Sequence, residues 1–308
     1  MCPFAVRVPH GLSLADFLGS MVTHAIRFLR RGLRTVKFSS DGGFACHPQH
    51  LHSSTGTSVA PRYVVILDKD KHMVTGIILP TGAGAAIGAE RALEQALDSA
   101  GLTREDIDAL VTTGYGRTAI ESGDKSITEI TCHARGAHYL NPDVRTVIDI
   151  GGQDSKVIRL DETGAVVNFV MNDKCAAGTG RFLEMMARTM EMDLDQMSVT
   201  GLDYQEDITI SSMCTVFAES EVVSLIAQNK APDDIVHGLN KAVAAKTAAL
   251  VQRVGGEEKY MMTGGVSKNQ GLVQTLEEKL SAKLVISENA QLCGALGAAL
   301  YAADMIAQ

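Results

Sequence analysis

Two of the six cysteines lie in sequence settings that suit chemistry better than packing. Cys175 follows a predicted strand within NDKCAAGTGR, and Cys214 directly precedes a predicted helix within SSMCTVFAESE. The partial positive charge near the start of a helix favours a thiolate, and it equally favours an anionic iron–sulfur cluster. The competing interpretation is a buried apolar thiol, which is the common environment of a free cysteine.

A second set of candidate residues combines glycine with aspartate. Residues 149–154 (DIGGQD) end one predicted strand and turn back into the next, whereas Gly264 and Gly265 follow a strand and precede a helix. Glycine lets the backbone approach a ligand closely, and successive N–H groups form an anion-binding nest. Asp149 beside a polyphosphate requires Mg²⁺ and its waters, because two anions repel. The alternative interpretation is a pair of tight turns.

The elements that position these residues form an alternating pattern from residue 62 onward. The predicted strands are 63–67, 74–79, 109–112, 146–150, 156–160, 166–171, 259–262 and 284–286. The predicted helices are 86–100, 181–190, 217–228, 233–254, 270–280 and 293–306. Strands followed by helices, twice over, predict an α/β protein of two similar lobes with the glycine clusters at the cleft between them. The chain has no GxxxxGK[ST] loop and no GxGxxG that links a strand to a helix, which disfavours P-loop and Rossmann sites.

Composition excludes several other classes of protein. The 308 residues are 45% hydrophobic and 21% charged, which is typical of a globular chain. No stretch approaches the ~18 apolar residues of a membrane span. Residues 1–40 carry a net charge of +5 and the remainder −13, so the acidic body gives no support for nucleic-acid binding. Six scattered cysteines are too few for a disulfide scaffold.

Five segments taken together resemble one family. They are 147–156 (VIDIGGQDSK), 172–184 (NDKCAAGTGRFLE), 214–222 (CTVFAESEV), 262–269 (MTGGVSKN) and 294–301 (GALGAALY). The combination resembles the ATP-dependent activators of 2-hydroxyacyl-CoA dehydratases, whose family also holds the ATPase subunits of benzoyl-CoA reductase. The similarity runs from about residue 62 to the C-terminus.

The resemblance implies the actin/hexokinase/Hsp70-type ATPase fold, with ATP and Mg²⁺ in a cleft between two lobes. Residues 149–154 correspond to the second phosphate loop, which places Asp149, Gln153 and Asp154 at the catalytic centre. Residues 263–269 correspond to the adenosine segment. The nucleotide-binding residues implied in this way are Gly151, Gly152, Gly178, Gly180, Gly264, Gly265 and Asn269.

The resemblance also implies a homodimer bridged by one [4Fe–4S] cluster, with Cys175 and Cys214 as ligands. Two thiolates per chain fall short of the four that such a cluster needs, and a twofold dimer supplies the other two. An electron from ferredoxin or flavodoxin then passes, with ATP hydrolysis, to the dehydratase component. A cytoplasmic location follows from the family, and no nucleic-acid or membrane partner is expected.

The match ends where the family's first phosphate loop should begin. Residues 54–62 (STGTSVAPR) lack the Asp-x-Gly-Ser-x-x-Ser-Lys pattern, and no apolar strand precedes them. We therefore expect impaired ATP binding and a basic, polar extension over residues 1–60 that lies outside the fold. A transit peptide, a metal site at Cys46, His47, His50 and His52, and an unrelated sequence joined upstream are the alternatives, of which the last is favoured.

The expected lobes are residues 61–140 with 290–308, and residues 141–289, which include the two cysteines. Three other functions remain open at this point. These alternatives are a benzoyl-CoA reductase ATPase subunit, a kinase-like phosphotransferase with Asp154 as its base, and a degenerate nucleotide-binding protein without a cluster.

Overall fold

The computed structural model describes residues 34–39, 62–79, 85–114, 117, 123–172, 175–210 and 214–307. The strands are β1 (Arg34–Ser39), β2 (Arg62–Asp68), β3 (Met73–Leu79), β4 (Ala109–Thr112), β5 (Lys125–Ser126), β6 (Thr146–Ile150), β7 (Ser155–Leu160), β8 (Val166–Asn172), β9 (Tyr260–Thr263) and β10 (Leu284–Val285). The α-helices are α1 (Ala85–Ala100), α2 (Glu129–Leu140), α3 (Gly180–Thr189), α4 (Leu194–Val199), α5 (Thr215–Ala227), α6 (Pro232–Val254), α7 (Gln270–Leu280) and α8 (Cys293–Ile306). Most bounds fall within two residues of the predicted ones.

The chain divides into two compact units, with boundaries at 139/140 and 291/292. The first unit contains a sheet of order β3-β2-β1-β4-β5, and the second a sheet of order β10-β9-β6-β7-β8. When the strands are numbered within each unit and the second sheet is read from β8, both orders are third, second, first, fourth, fifth. In both sheets the two pairings among the first three strands are antiparallel, and the two pairings that join the first strand to the fourth and the fourth to the fifth are parallel. The two units therefore share one topology, in agreement with two similar lobes.

In the first unit the Ala- and Gly-rich helix α8 packs against β1, β2 and β4. Its glycines let it approach α2 closely, because a Cβ atom at Gly297 would overlap the carbonyl oxygen of Cys132. Strand β2 is buried along nearly its whole length, as expected of an apolar run in the middle of a sheet. Thr103 and Asp106 form a capping interaction, since the Asp106 carboxylate accepts from the backbone N–H and the Oγ1 of Thr103 at 2.8 and 2.9 Å.

The structure departs from the expected extension at residues 34–39. These residues form β1, which lies between β2 and β4, with Val36 opposite both Ile66 and Leu110. These six residues therefore belong to the fold, in contrast to the expectation that residues 1–60 lie outside it. Arg34–Ser39 (RTVKFS) alternates polar and apolar residues, which is not the apolar run of a central strand. Backbone pairing on both sides places the segment in the sheet regardless of that pattern.

The remaining predictions about residues 1–60 lie outside the described residues. These include the anomalous loop at 54–61 and the Cys46 and histidine cluster. Among the described helices, none combines the length and hydropathy that a membrane crossing requires.

Candidate functional site

The predicted phosphate loop is a four-residue turn between β6 and β7. Ile150 pairs with Ser155 across the two strands, and the N–H of Gly151 donates to the carbonyl oxygen of Asp154 at 3.0 Å. Asp149, Gly151 and Asp154 are buried, whereas Gly152 and Gln153 at the tip are partly exposed. Gly152 and Gln153 are therefore accessible to a ligand, whereas the carboxylates of Asp149 and Asp154 are buried.

Lys156 holds those two carboxylates together. Its Nζ donates to Asp149 Oδ2 at 3.0 Å and to Asp154 Oδ1 at 2.8 Å, and all three side chains are buried. Thr263 Oγ1 donates to Asp149 Oδ1 at 2.8 Å, so β9 also contributes to the cluster. A buried carboxylate is tolerated only when it is paired and hydrogen-bonded, and one ammonium here serves two of them.

The sequence predicts a catalytic role for both aspartates, none for Lys156, and for Thr263 only a place at the start of the adenosine segment. A signal for Lys156 was present, because a tight hairpin places residues 149 and 156 directly opposite each other on β6 and β7. Opposite charges at such positions stabilise a sheet pair. Thr263 had no comparable local signal, since it reaches Asp149 through the parallel pairing of β6 with β9.

The predicted adenosine segment touches the back of the phosphate loop at Gly264. This residue has φ +82°, and a Cβ atom there would overlap the carbonyl oxygen of Ile150 and lie 3.0 Å from Asp149 Oδ1. Gly265 then begins a 3₁₀ turn, Gly265–Lys268, closed by Ser267 Oγ donating to the Gly264 carbonyl oxygen at 2.7 Å. Glycine at 264 is thus required by both the backbone angle and the close approach.

Asn269 ends the segment and caps α7. Its Oδ1 accepts from the backbone N–H of Leu272 at 2.9 Å, while its Nδ2 has no hydrogen-bond partner among the described residues. Asn240 on α6 is also fully buried, with neither amide atom partnered by a described residue. The position of a Cβ atom at Gly271 is 2.7 Å from Asn240 Nδ2 and 3.7 Å from Asn269 Oδ1. Two buried amides beside one glycine mark a place suited to a polar ligand or water.

Cys175 lies in a loop between β8 and α3 that internal hydrogen bonds stabilise. Asn172 Nδ2 donates to the carbonyl oxygens of Cys175 at 2.9 Å and Ala177 at 3.2 Å. Thr179 Oγ1 donates to the Ala176 carbonyl oxygen at 2.6 Å, and Gly178 adopts φ +84°. Cys175 is five residues ahead of α3, one residue nearer to the helix start than the predicted bounds place it.

The cysteine loop is joined directly to the phosphate loop. The N–H of Gly180 donates to the carbonyl oxygen of Gly151, and the N–H of Arg181 donates to that of Gly152, both at 2.8 Å. The N–H of Gly180, a predicted nucleotide-binding residue, is therefore already bonded to the turn. These two bonds join the start of α3 to the turn.

Cys214 occupies the N-cap position of α5 and is exposed, and α5 packs against α3. Of the four described cysteines, Cys132 and Cys293 are buried, while Cys175 is half-buried and Cys214 exposed. The two accessible thiols are the two predicted ligands. Such a donor pair fits a cluster whose remaining ligands come from another chain.

Comparisons with known proteins show which family the chain resembles over most of its length. The pattern of the BadF/BadG/BcrA/BcrD ATPase family matches residues 56–302. The 2-hydroxyisocaproyl-CoA dehydratase activator of Clostridioides difficile is 45% identical over 240 residues, which are 78% of this chain and 90% of the relative. The activator of lactoyl-CoA dehydratase of Anaerotignum propionicum is 48% identical, over 77% of this chain and 92% of the relative. One of the benzoyl-CoA reductase subunits of Thauera aromatica is more distant, at 35% identity over 70% of this chain and 78% of the relative.

A solved structure of a Clostridium difficile activator of 2-hydroxyisocaproyl-CoA dehydratase with bound ADPNP matches with a TM-score of 0.76 and 44% identity. The match covers 80% of this chain and 91% of that one. The fold predicted from the sequence, the actin/hexokinase/Hsp70-type ATPase fold, is thereby confirmed.

Proposed function

The chain belongs to the BadF/BadG/BcrA/BcrD ATPase family, and from this we propose that it is an ATP-driven, iron–sulfur activator of a 2-hydroxyacyl-CoA dehydratase. Two relatives named as activators of such dehydratases are 45% and 48% identical to it over most of their length. In this role the protein takes an electron from ferredoxin or flavodoxin and passes it to the dehydratase component, at the expense of ATP.

Nucleotide binding in the second unit is assigned to three features. Gly152 and Gln153 at the tip of the turn face the phosphates, and Asn269 with its neighbours faces the nucleoside. Asp149 and Asp154 offer oxygen atoms, the ligand type that Mg²⁺ prefers. Because both carboxylates are buried on Lys156, we propose that they act on the ion through its waters.

A [4Fe–4S] cluster shared by two copies of the chain is assigned to Cys175 and Cys214. When bound, such a cluster carries one electron at low potential. The surface beside Cys214 supports association, since Val216, Phe217 and Val223 on α5 are 62%, 68% and 51% exposed. An apolar helix face of this kind is typical of an interface between chains.

Coupling between nucleotide and cluster is the central step, and the observation that carries it is the pair of bonds from Gly180 and Arg181 to the phosphate loop. ATP and ADP shift a conformational equilibrium only if they bind its two states with different affinity. A change at Gly151 and Gly152 on loss of the γ-phosphate is transmitted through these bonds to α3 and the Cys175 loop.

The decisive experiment is anaerobic purification followed by iron and sulfide analysis. We expect about four irons per dimer, the content of one [4Fe–4S] cluster. Cys175→Ser and Cys214→Ser should each lose the iron, while Cys293→Ala, a buried thiol of the first unit, should retain it. Wild-type protein with ATPase activity and no iron would contradict the proposal and favour the kinase-like alternative.

A second measurement separates the activator from a benzoyl-CoA reductase subunit. An activator should purify as a separable homodimer whose cluster spectrum responds to exchange of ADP for ATP. A permanent complex with other subunits would contradict the activator role. ADP affinity should be measured as well. We expect a weakened affinity, because the pattern of the first phosphate loop is missing from residues 54–62.

A further inference from the structure

The side chain of Lys246 covers the loop that follows Cys175. A Cβ atom at Gly178 would lie 2.9 Å from Lys246 Cδ and 3.4 Å from its Cγ, so the lysine methylenes rest on the glycine. Lys246 lies on α6 and is half-buried. A lysine that buries its stem in this way carries its ammonium along the covered surface towards water.

The ammonium of Lys246 has no carboxylate partner among the described residues. The other two half-buried lysines described in the second unit, Lys230 and Lys241, form ion pairs with Glu206 and Asp207 respectively. Lys246 forms neither an ion pair nor a hydrogen bond with a residue that the structure describes. Its charge is thus available to a ligand.

The backbone beneath Lys246 offers two consecutive N–H groups that no described residue uses. Ala177 and Gly178 are buried, and their consecutive N–H groups donate to no described residue, whereas those of Gly180 and Arg181 are used by the phosphate loop. Gly178 has the positive φ angle that turns neighbouring N–H groups into one concavity. The side chain of Lys246 and the two unused N–H groups of Ala177 and Gly178 therefore lie at the same place.

We propose that Lys246 supplies the compensating charge for an anion held by the Cys175–Gly178 loop. The inference rests on the proposed function, which provides two anions of this kind: a nucleotide phosphate, and an iron–sulfur cluster with its thiolates. Either one gains from a nearby ammonium in a partly desolvated site. Lys246 would bind and orient the anion and takes no part in bond making.

The two sources predict different losses when the charge is removed. For a phosphate, nucleotide affinity falls. For a cluster, the midpoint potential falls, because reduction adds a negative charge that the cation stabilises. The test compares Lys246→Met, which keeps the stem on Gly178, with Lys246→Arg, which keeps the charge, and with Lys241→Met as a control on the same helix.

The measurements are ADP binding by calorimetry and the midpoint potential by anaerobic titration, both on the full-length protein. Lys246→Met should weaken ADP binding roughly three- to tenfold, or lower the potential by an amount equivalent to that change, where tenfold is about 59 mV for one electron. Lys246→Arg and Lys241→Met should match the wild type in both.

Equal behaviour of Lys246→Met and the wild type in both measurements would overturn the proposal, as would an equal effect of Lys241→Met. Failure of the proposed function is seen separately, in the wild type. If the wild type binds ADP but contains no iron, the activator role is refuted. The ADP affinity of Lys246→Met then decides whether Lys246 binds the phosphate. A wild type that binds neither overturns both.

Discussion

At the scale of single residues, the charge balance of the site depends on Lys156. It is fully buried and is the cation that pairs with both Asp149 and Asp154. Removing one member of a buried ion pair leaves the other uncompensated in a low-dielectric interior. The loop that carries the proposed catalytic residues is therefore stabilised by a residue that need not touch the nucleotide.

Lys156→Met should destabilise the fold by about 3–5 kcal/mol, the typical cost of breaking a buried ion pair from one side. Urea unfolding at pH 7 measures this loss. Lys241→Met serves as a control, because its partner Asp207 is largely exposed and an exposed pair contributes little. A loss of less than about 1 kcal/mol for Lys156→Met would show that the two carboxylates do not need the lysine.

Gly264→Ala tests the contact between the adenosine segment and the phosphate loop. The new Cβ atom would overlap the Ile150 carbonyl oxygen, in addition to the cost of its φ of +82°. Gly101→Ala is a matched control, since Gly101 has φ +63° with nothing within 4 Å. We expect the control to lose about 1–2 kcal/mol, and Gly264→Ala to lose clearly more in thermal unfolding, together with ADP affinity. Equal losses would mean that the contact is not close in solution.

At the scale of elements, the start of α6 is held by Asp234. Its Oδ1 accepts from the backbone N–H groups of Gln205 and Glu206 at 2.7 and 2.9 Å. These bonds, first that of Glu206 and then that of Gln205, lower the pKa of Asp234 below its ordinary value. They join the loop before α5 to the helix that carries both Asn240 and Lys246.

The lowered pKa predicts the sign of a pH effect. A carboxyl group whose pKa is lower in the folded than in the unfolded state stabilises the fold above its unfolded pKa, about 3.9, and loses this contribution as the pH falls through its folded pKa. Asp234→Asn should therefore be less stable than the wild type at pH 7, with the difference shrinking towards pH 2. Thermal unfolding across this range measures it.

Asp233→Asn is the control for that experiment. It removes the same charge from the first turn of α6, but its side chain makes no hydrogen bond to a described residue. A difference between Asp234→Asn and the wild type that stayed constant on acidification would show that the ionised carboxylate is not what matters.

At the scale of the whole molecule, the first sheet depends on a strand far from the family motifs. β1 pairs with β2 on one side and β4 on the other, so its loss would leave the hydrogen-bonding edges of both strands exposed. The 22 residues between β1 and β2 hold the segment where the first phosphate loop was expected.

Two deletions isolate the contribution of β1. Removal of residues 1–39 should abolish folding of the first unit, seen as lost cooperative melting and rapid proteolysis. Removal of residues 1–33 is the matched control, because it differs only in retaining Arg34–Ser39, and it should melt cooperatively. Identical behaviour of the two proteins would show that β1 is dispensable, as the sequence alone had indicated.

Local patterns were enough to predict most elements and the motifs between them. Helix α8 has its predicted bounds, and the strands of the hairpins β2–β3 and β6–β7 were predicted from short apolar runs. Such signals depend on residues close together in the chain, so they can be read without knowing the fold. They also predict Cys175, Cys214 and the 149–154 loop as candidate sites of chemistry.

Only the tertiary structure showed how those pieces meet. Thr263 reaches Asp149 through a pairing between β6 and β9, strands more than 100 residues apart, and Lys246 reaches Gly178 from another helix. β1 is a central strand because two neighbours pair with its backbone, which its side-chain pattern does not reveal. Sequence thus determined the family and the residue types of the site, while non-local packing decided which charges and amides those residues face.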